Sequence, residues 1–532
     1  HQRPCAGSEQ MRITVLCAPG VVKITSVALF MLIAAAGIVA VARQARPVSS
    51  VSDTAVIESY TLYASRAQLL VGPYSRYGWH HPGPLYFYLL APFYVLSGRL
   101  PAGLNAGALA INLLAVIVIA SVVWRVAREG LAVAIVTMLV VYSWRVAPLL
   151  ASPWNPHVVV LPLMALIVVA AAIVSGWIEL LPLAALVGTI AVQTHLGVVP
   201  GVVALSAIAL GFAIFSTGSA VPIGRPVGIL SVTLCLVVVL WAVPVWEEMT
   251  RAPGNLTTLW RFFFTGPRGA PPFRSAYVAW TDMLAGILRA DLRLADGSPF
   301  RRSHIRWSEG CAVAEVVLLA IIATLGARAG RRFQAALSGL LVLGAMMALW
   351  SATRIDDAIV DHEVFWISGL GALATATLLD AGISAIWRRR IPARLSLLAC
   401  AAGVLMIGAL GVHQLLLVTD RTFAPSPQQV AAATLGDALN RRIRSMNVRP
   451  LIKIEQDTWP VAAGVILNLQ KSGSPFAVDA DWLPMFTERA AATGHETEVV
   501  AIVGPERHFL LTAEDRASTI ADADPFFLIA VK

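Results

Sequence analysis

Apolar runs long enough to cross a bilayer recur along almost the whole chain, and nothing constrains its fold more. They stand near residues 21–42, 103–123, 131–149, 157–175, 177–194, 198–215, 226–246, 310–327, 334–352, 363–383 and 395–418. A hydrocarbon core about 30 Å thick takes about 20 residues of helix, and in lipid only helices and closed barrels leave no backbone group unpaired. The runs predict a polytopic α-helical membrane protein with about 11 transmembrane helices. Charge agrees: 13% of the 532 residues are charged, against about 25% in a soluble domain. A net charge of +9 is therefore no sign of nucleic-acid binding, and no nucleic-acid partner is expected. The run Val21–Ala42 exceeds the apolar core of a signal peptide and reads as an uncleaved span. Residues 1–20 are then a cytoplasmic N-terminal segment, with Met11 or something upstream the expected start. Cys5, Cys17, Cys235, Cys311 and Cys400 lack metal-ligand spacing, and most lie in or beside apolar spans, where they read as small buried residues.

Sidedness follows from charge. The stretch Leu85–Ser97 comes directly after Pro82-Gly83-Pro84 and is too short to span, so it is predicted to lie in the interface. With it on the outer surface, the inside loops carry Arg125, Arg128, Arg225, Arg328, Arg331, Arg332, Arg388, Arg389, Arg390 and Arg394. The short outer turns near 145–157 and 353–362 hold one arginine each, as the positive-inside rule requires. If 85–97 spanned, every later Arg-rich loop would face outward. Arg43 and Arg46 run against this arrangement, and the nine arginines of Glu247–Trp307 lie in a loop of 61 residues, too long for the rule to govern. The transmembrane domain is thus expected over 21–418, with outer loops 43–102 (interfacial helix 85–97) and 247–307. From 419 to 532 the composition changes. Strand-like runs (Leu451–Glu455, Phe476–Ala480, Glu498–Val503, Phe526–Val531) alternate with helical ones (Gln428–Met446, Pro460–Lys471), which predicts a C-terminal soluble α/β domain on the outer side.

Ionisable residues collect on that outer face. Asp53, just past the first span, suits a general base for an acceptor hydroxyl at the rim of a membrane cavity. It equally suits the N-cap of a helix over Thr54–Leu70, and the two roles are compatible. Glu58 falls roughly on another face, as a supporting or alternative acid. His80 and His81 suit phosphate or metal binding but, being adjacent, point in different directions on a helix; packing at the interface is their plainer reading. The turn Trp154-Asn155-Pro156-His157 offers Asn155 and His157, or simply a rigid aromatic-belt turn. His195 closes a span on the same side, where ionisable groups are functional candidates. Arg261, amid Trp260 and Phe262-Phe263-Phe264, suits lipid phosphate or headgroup anchoring. Asp356, Asp357, His362 and Glu363 add acids and a further imidazole; a divalent cation there is conceivable, but the spacing matches no metal motif.

Asp53 followed about 30 residues later by Pro82-Gly83-Pro84-Leu85-Tyr86-Phe87-Tyr88 resembles the first outer loop of GT-C superfamily membrane glycosyltransferases, the group that includes protein mannosyltransferases and lipid A aminoarabinose transferases. Those enzymes carry an acid soon after span one and then a Pro-Pro-Leu-Tyr-like interfacial helix. Where the group often has a second acid, this chain has Trp154-Asn155-Pro156-His157, followed later by Gln193-Thr194-His195, similar to a bacterial subgroup with a Trp-Asn-Pro outer turn. That departure counts against an acid-pair or metal-bridged mechanism.

The resemblance implies a polyprenyl-phosphate-sugar dependent hexosyl- or pentosyltransferase in the bacterial cytoplasmic membrane, with its site on the extracytoplasmic side. It would move a sugar to a glycan, lipid or protein acceptor by an inverting displacement. Asp53 would be the base, and His81, His157 or His195, with arginines of the long loop, would meet the leaving phosphate. A transporter or flippase of lipid-linked sugars is the alternative, disfavoured because polar residues cluster at one face and not at mid-membrane. A non-catalytic membrane scaffold with a binding tail is a third.

Overall fold

A computed structural model describes residues 48–215, 224–387 and 425–531, apart from 267–268, 306, 509–511 and 513–516, with isolated positions between 31 and 41 and at 409 and 413. The segment 1–20 and almost all of the expected spans 21–42 and 395–418 lie outside the described residues.

The first described segment forms α1 (Ser52–Ala64) and α2 (Leu85–Leu96). There follow α3 (Pro101–Val126), α4 (Glu129–Arg145), α5 (Asn155–Val174), α6 (Leu181–Thr194), α7 (Val199–Phe215) and α8 (Gly224–Thr250). After the short α9 (Asn255–Trp260) and α10 (Phe273–Leu284) come α11 (Ser308–Arg328), α12 (Arg332–Ala352) and α13 (Ile367–Trp387). Among the described residues, seven helices are long and apolar enough to cross a membrane: α3, α5, α7, α8, α11, α12 and α13. The expected spans near 131–149 and 177–194 are helical but short. α4 ends at Arg145, ahead of a 3-10 turn that contains Pro148. α6 begins at Leu181-Pro182, after a break at Gly176 (φ 116°). Proline at a first turn and glycine in the left-handed region both mark helix ends.

α5 is buried along nearly its whole length and packs on α3, α6, α7, α12 and α13. A helix apolar on every side belongs at the centre of a bundle. α2 is 12 residues long, too short to span, and lays Tyr86, Phe87, Leu90 and Tyr94 into a core shared with α1.

The tail opens with α14 (Pro427–Met446), started by a capping box between Ser426 and Gln429 and ended by Asn447 in the left-handed region. β1 (Pro450–Lys453), α15 (Trp459–Ser472), β2 (Ala477–Val478), β3 (Glu498–Val503), β4 (Thr519–Ala523) and β5 (Phe526–Val531) complete it. The sheet order is β2-β1-β3-β5-β4, parallel across β2-β1-β3 and antiparallel across β3-β5-β4. Its core continues into the other domain: Leu435, Val461 and Ile466 belong to one buried cluster with Val56 and Tyr60 of α1 and Tyr94 of α2.

Candidate functional site

The site is built from the ends of these helices and the segments that join them. α1 is capped by the backbone of Val51, and no side chain caps it. Asp53 sits one residue inside, in the first turn, where free N–H groups favour a negative charge. The expected capping bond is therefore absent, and the carboxylate instead accepts a hydrogen bond from the Tyr74 hydroxyl. Burial pushes the Asp53 carboxyl above its ordinary range, and the Tyr74 bond partly opposes this. Tyr74 is held by a tight hairpin. Ser75 N–H donates to Trp79 O at 2.9 Å, Tyr74 bridges His80, and Gly78 takes the turn at φ 80°.

The same hairpin delivers the histidines. Asn255 fixes their backbone: its Oδ1 accepts from His80 N–H at 2.9 Å, and its Nδ2 donates to His80 O at 3.0 Å and His81 O at 3.2 Å. His80 does not line the cavity; its Nε2 meets the Tyr60 hydroxyl at 3.2 Å. His81 does line it, as do Asn155, His195 and His362. Nδ1 of His81 accepts from Leu196 N–H at 2.8 Å, Nδ1 of His195 accepts from Gly197 N–H at 3.1 Å, and the ring centroids lie 5.4 Å apart. Burial holds His81 well below the ordinary imidazole range, His195 at about 3 and His362 at about 4. Asn155 donates to Thr194 O at 3.1 Å and so ties the Trp-Asn-Pro turn to the end of α6. His157 stays out of the cavity, with Nδ1 2.7 Å from Ser152 Oγ and Nε2 2.9 Å from Ala295 O.

The remaining candidates divide sharply. Glu58 is fully buried away from the cavity, bonded by Ser50, Tyr94 (2.9 Å) and Lys471. Glu363 lines the cavity but is engaged: Oε1 meets Arg76 and the Tyr77 hydroxyl at 3.2 Å each, and Oε2 accepts from Val360 N–H at 2.9 Å. Arg261 is exposed and off the cavity wall. Asp356 Oδ1 accepts from Gly269 N–H at 2.5 Å. Among the described residues no three His, Cys, Asp or Glu side chains gather as a metal site, so Asp356, Asp357, His362 and Glu363 do not assemble the donor set a divalent cation needs.

Sequence reasoning passed over Arg354. Its guanidinium lines the cavity, donates to Phe263 O at 3.3 Å and lies 5.6 Å from the Trp350 ring. Among the described residues it has no carboxylate partner. Contacts order the wall. Asp53 touches Tyr74, Tyr74 pairs with His80 beside His81, His81 faces His195, and Ser351 Oγ donates to Gly197 O at 2.7 Å, three residues before Arg354.

The cavity measures about 790 Å³. Beyond the polar wall it is lined by Val199, Pro200, Val203 and Ala204 of α7, Met347 and Trp350 of α12, and Leu256 and Leu259 of α9. Val203 is 59% exposed, so the described residues do not seal the apolar end of the cavity.

No family model and no curated protein matches the chain. Solved structures do. ArnT from Cupriavidus metallidurans bound to undecaprenyl phosphate aligns over 94% of this chain and 97% of its own, at 13% identity and a TM-score of 0.56. The apo state of the same enzyme aligns over the same shares at 11% identity and a TM-score of 0.43. The first likeness shows the fold alone: this chain shares the helical membrane fold of that protein, with a small C-terminal sheet domain.

Proposed function

We propose that this GT-C-folded chain is a membrane glycosyltransferase that moves a sugar from a polyprenyl-phosphate carrier to an acceptor hydroxyl at the outer face of the bacterial cytoplasmic membrane. One observation carries the reading: a single cavity joins a half-buried carboxylate, a pair of histidines and an arginine with no carboxylate partner among the described residues to a partly exposed apolar wall. A lipid-linked sugar has that same division, with a tail for the bilayer, a phosphate at headgroup level and the reacting carbon just outside. That a structure of this fold binds undecaprenyl phosphate supports a polyprenyl phosphate as the leaving group here.

Asp53 takes the proton of the acceptor hydroxyl, whose oxygen attacks the anomeric carbon as the bond to the phosphate oxygen breaks. Attack from the face opposite the leaving group inverts that carbon. Charge develops on the phosphate, where Arg354 and the ring N–H groups of His81 and His195 supply a cation and donors fixed in advance. The order along the wall, Asp53 first and Arg354 last, suits acceptor and phosphate on opposite sides of the sugar. Asn155 and His362 would line the sugar-binding space between. The acceptor is a glycan, a lipid or a protein, and the tail recognises it or seals the cavity.

The test is transfer of radiolabelled sugar from polyprenyl-phosphate donors in membranes. The wild type transfers label, and Asp53→Asn, inserted and folded normally, loses roughly 10²–10⁴-fold in rate. Undiminished transfer by the variant would move the base elsewhere. No transfer with any donor would return the flippase and scaffold readings.

A further inference from the structure

The rings of His81 and His195 are each fixed at one nitrogen. Leu196 N–H points at Nδ1 of His81, and Gly197 N–H points at Nδ1 of His195. A backbone N–H can only donate, so each Nδ1 must be a bare acceptor and the ring proton must sit on Nε2. An imidazolium would set two N–H groups against each other and lose the bond that orients the ring. One turn fixes both rings, because the two donors are the consecutive residues after His195. Gly197 is also the residue whose carbonyl Ser351 holds at 2.7 Å, so the donor turn is itself anchored to α12. Among the described residues neither Nε2–H has a protein partner, and both rings line the cavity.

We propose that His81 and His195 form a neutral two-donor subsite that binds phosphate oxygens through paired Nε2–H groups, leaving Arg354 as the cation. The proposal rests on the glycosyltransferase reading only for the identity of the phosphate; the donor pair itself follows from the backbone bonds. The ionisable and charged groups around it are His80, His362, Arg76 with Glu363, Arg354, Asp356 and Asp53, and none bonds to either ring. Burial pushes both rings toward the neutral form in the same direction as the geometry. Neutral donors also fit the reaction. They grow stronger as the leaving phosphate gains charge, yet they do not hold the charged product as two imidazolium ions would.

The closing experiment uses the full chain in lipid nanodiscs. Solid-state ¹⁵N NMR of histidine-labelled wild type, with the spectra of His81→Gln and His195→Gln subtracted in turn, isolates each ring. Each is expected to show one unprotonated and one protonated nitrogen, with protonation at Nε2. Binding of undecaprenyl phosphate without any sugar is then compared between substitutions. Glutamine carries its N–H near the imidazole Nε2 position, whereas asparagine is too short to reach it. His195→Gln is expected to bind within about threefold of wild type, and His195→Asn to lose about tenfold or more. Doubly protonated rings, protonation at Nδ1, equal loss in both variants or no binding by wild type would each overturn the subsite. Sugar transfer by a wild type whose rings prove doubly protonated would leave the enzyme standing and remove only this subsite. A confirmed donor pair in a chain that transfers no sugar would do the reverse.

Discussion

At the residue scale, a side chain's chemistry depends on which of its bonds are already made. Glu363 and Asp53 are both acids on one cavity wall, yet Glu363 is committed to Arg76, Tyr77 and Val360 N–H, while among the described residues Asp53 is bonded by Tyr74 alone. The Tyr74 hydroxyl stabilises the Asp53 carboxylate, so Tyr74→Phe raises the Asp53 pKa. A base must be deprotonated to work. The acid limb of the pH–rate profile therefore moves to higher pH in Tyr74→Phe, with activity lost at low pH and recovered at high pH. A profile that drops equally at every pH would assign Tyr74 to packing instead. Arg354→Ala removes a charge-assisted contact and is expected to raise the donor KM by about 10–100-fold, with Arg354→Lys in between. Sequence alone put Asp53 forward because an acid beside a membrane is unusual. It passed over Arg354 because an arginine in a short turn gains meaning only when no carboxylate pairs with it, and pairing is a property of the folded chain.

At the scale of elements, the run His80-His81-Pro82-Gly83-Pro84 is shaped from outside itself. A Cβ on Gly83 would lie 2.3 Å from Gln193 Oε1 and 2.6 Å from Pro244, so only glycine lets α6 and α8 close on this segment. The Gln193 amide is engaged on both sides, accepting from Leu85 N–H at 3.2 Å and donating to Leu240 O at 2.9 Å. Asn255, at the start of α9, binds the histidine backbone through three further bonds. Asn255→Ala is expected to cost about 2–3 kcal/mol of stability, since several buried bonds go at once. Differential scanning calorimetry would read this as a lower Tm, and donor binding should weaken in parallel because His81 moves with the hairpin. A lower Tm with unchanged binding would separate the clamp from the site. Helix positions were legible in the sequence because apolar length is a local property, and so was the shortness of 85–97. The lengths of α4 and α6 were not, because Pro148 falls inside the apolar run 131–149 and Pro182 inside 177–194, and hydropathy reads straight through both. β4 escaped because Thr519–Ala523 lacks an apolar alternation and is a strand only through its pairing with β5.

At the scale of the whole molecule, the tail is joined to the membrane domain through the helix that carries Asp53. α15 packs on α1, and a Cβ on Gly464 would sit 2.6 Å from Ser50 O, three residues before Asp53. Lys471, at the end of α15, pairs with the fully buried Glu58, donates to Arg99 O at 3.3 Å and stands 6.0 Å from the Tyr94 ring. Pro484 O accepts from the Tyr60 hydroxyl, which also meets His80. No local pattern could join Glu58 to Lys471, because nearly the whole membrane domain lies between them in the chain. Removing one member of a buried pair strands the other's charge, whereas removing both can be nearly neutral. Lys471 is one-third exposed, so water relieves part of the penalty. Lys471→Met is expected to cost about 2–4 kcal/mol, and the double variant Glu58→Gln/Lys471→Met to return within about 1 kcal/mol of wild type. Urea unfolding of the tail, followed by Trp459 and Trp482 fluorescence with the other tryptophans replaced, would measure both. If the pair also sets the position of α1, the single variant should lose kcat more than donor affinity, and the double variant should recover it. Stability restored without kcat would mean that the charge pair itself, beyond its packing, holds Asp53 against the acceptor.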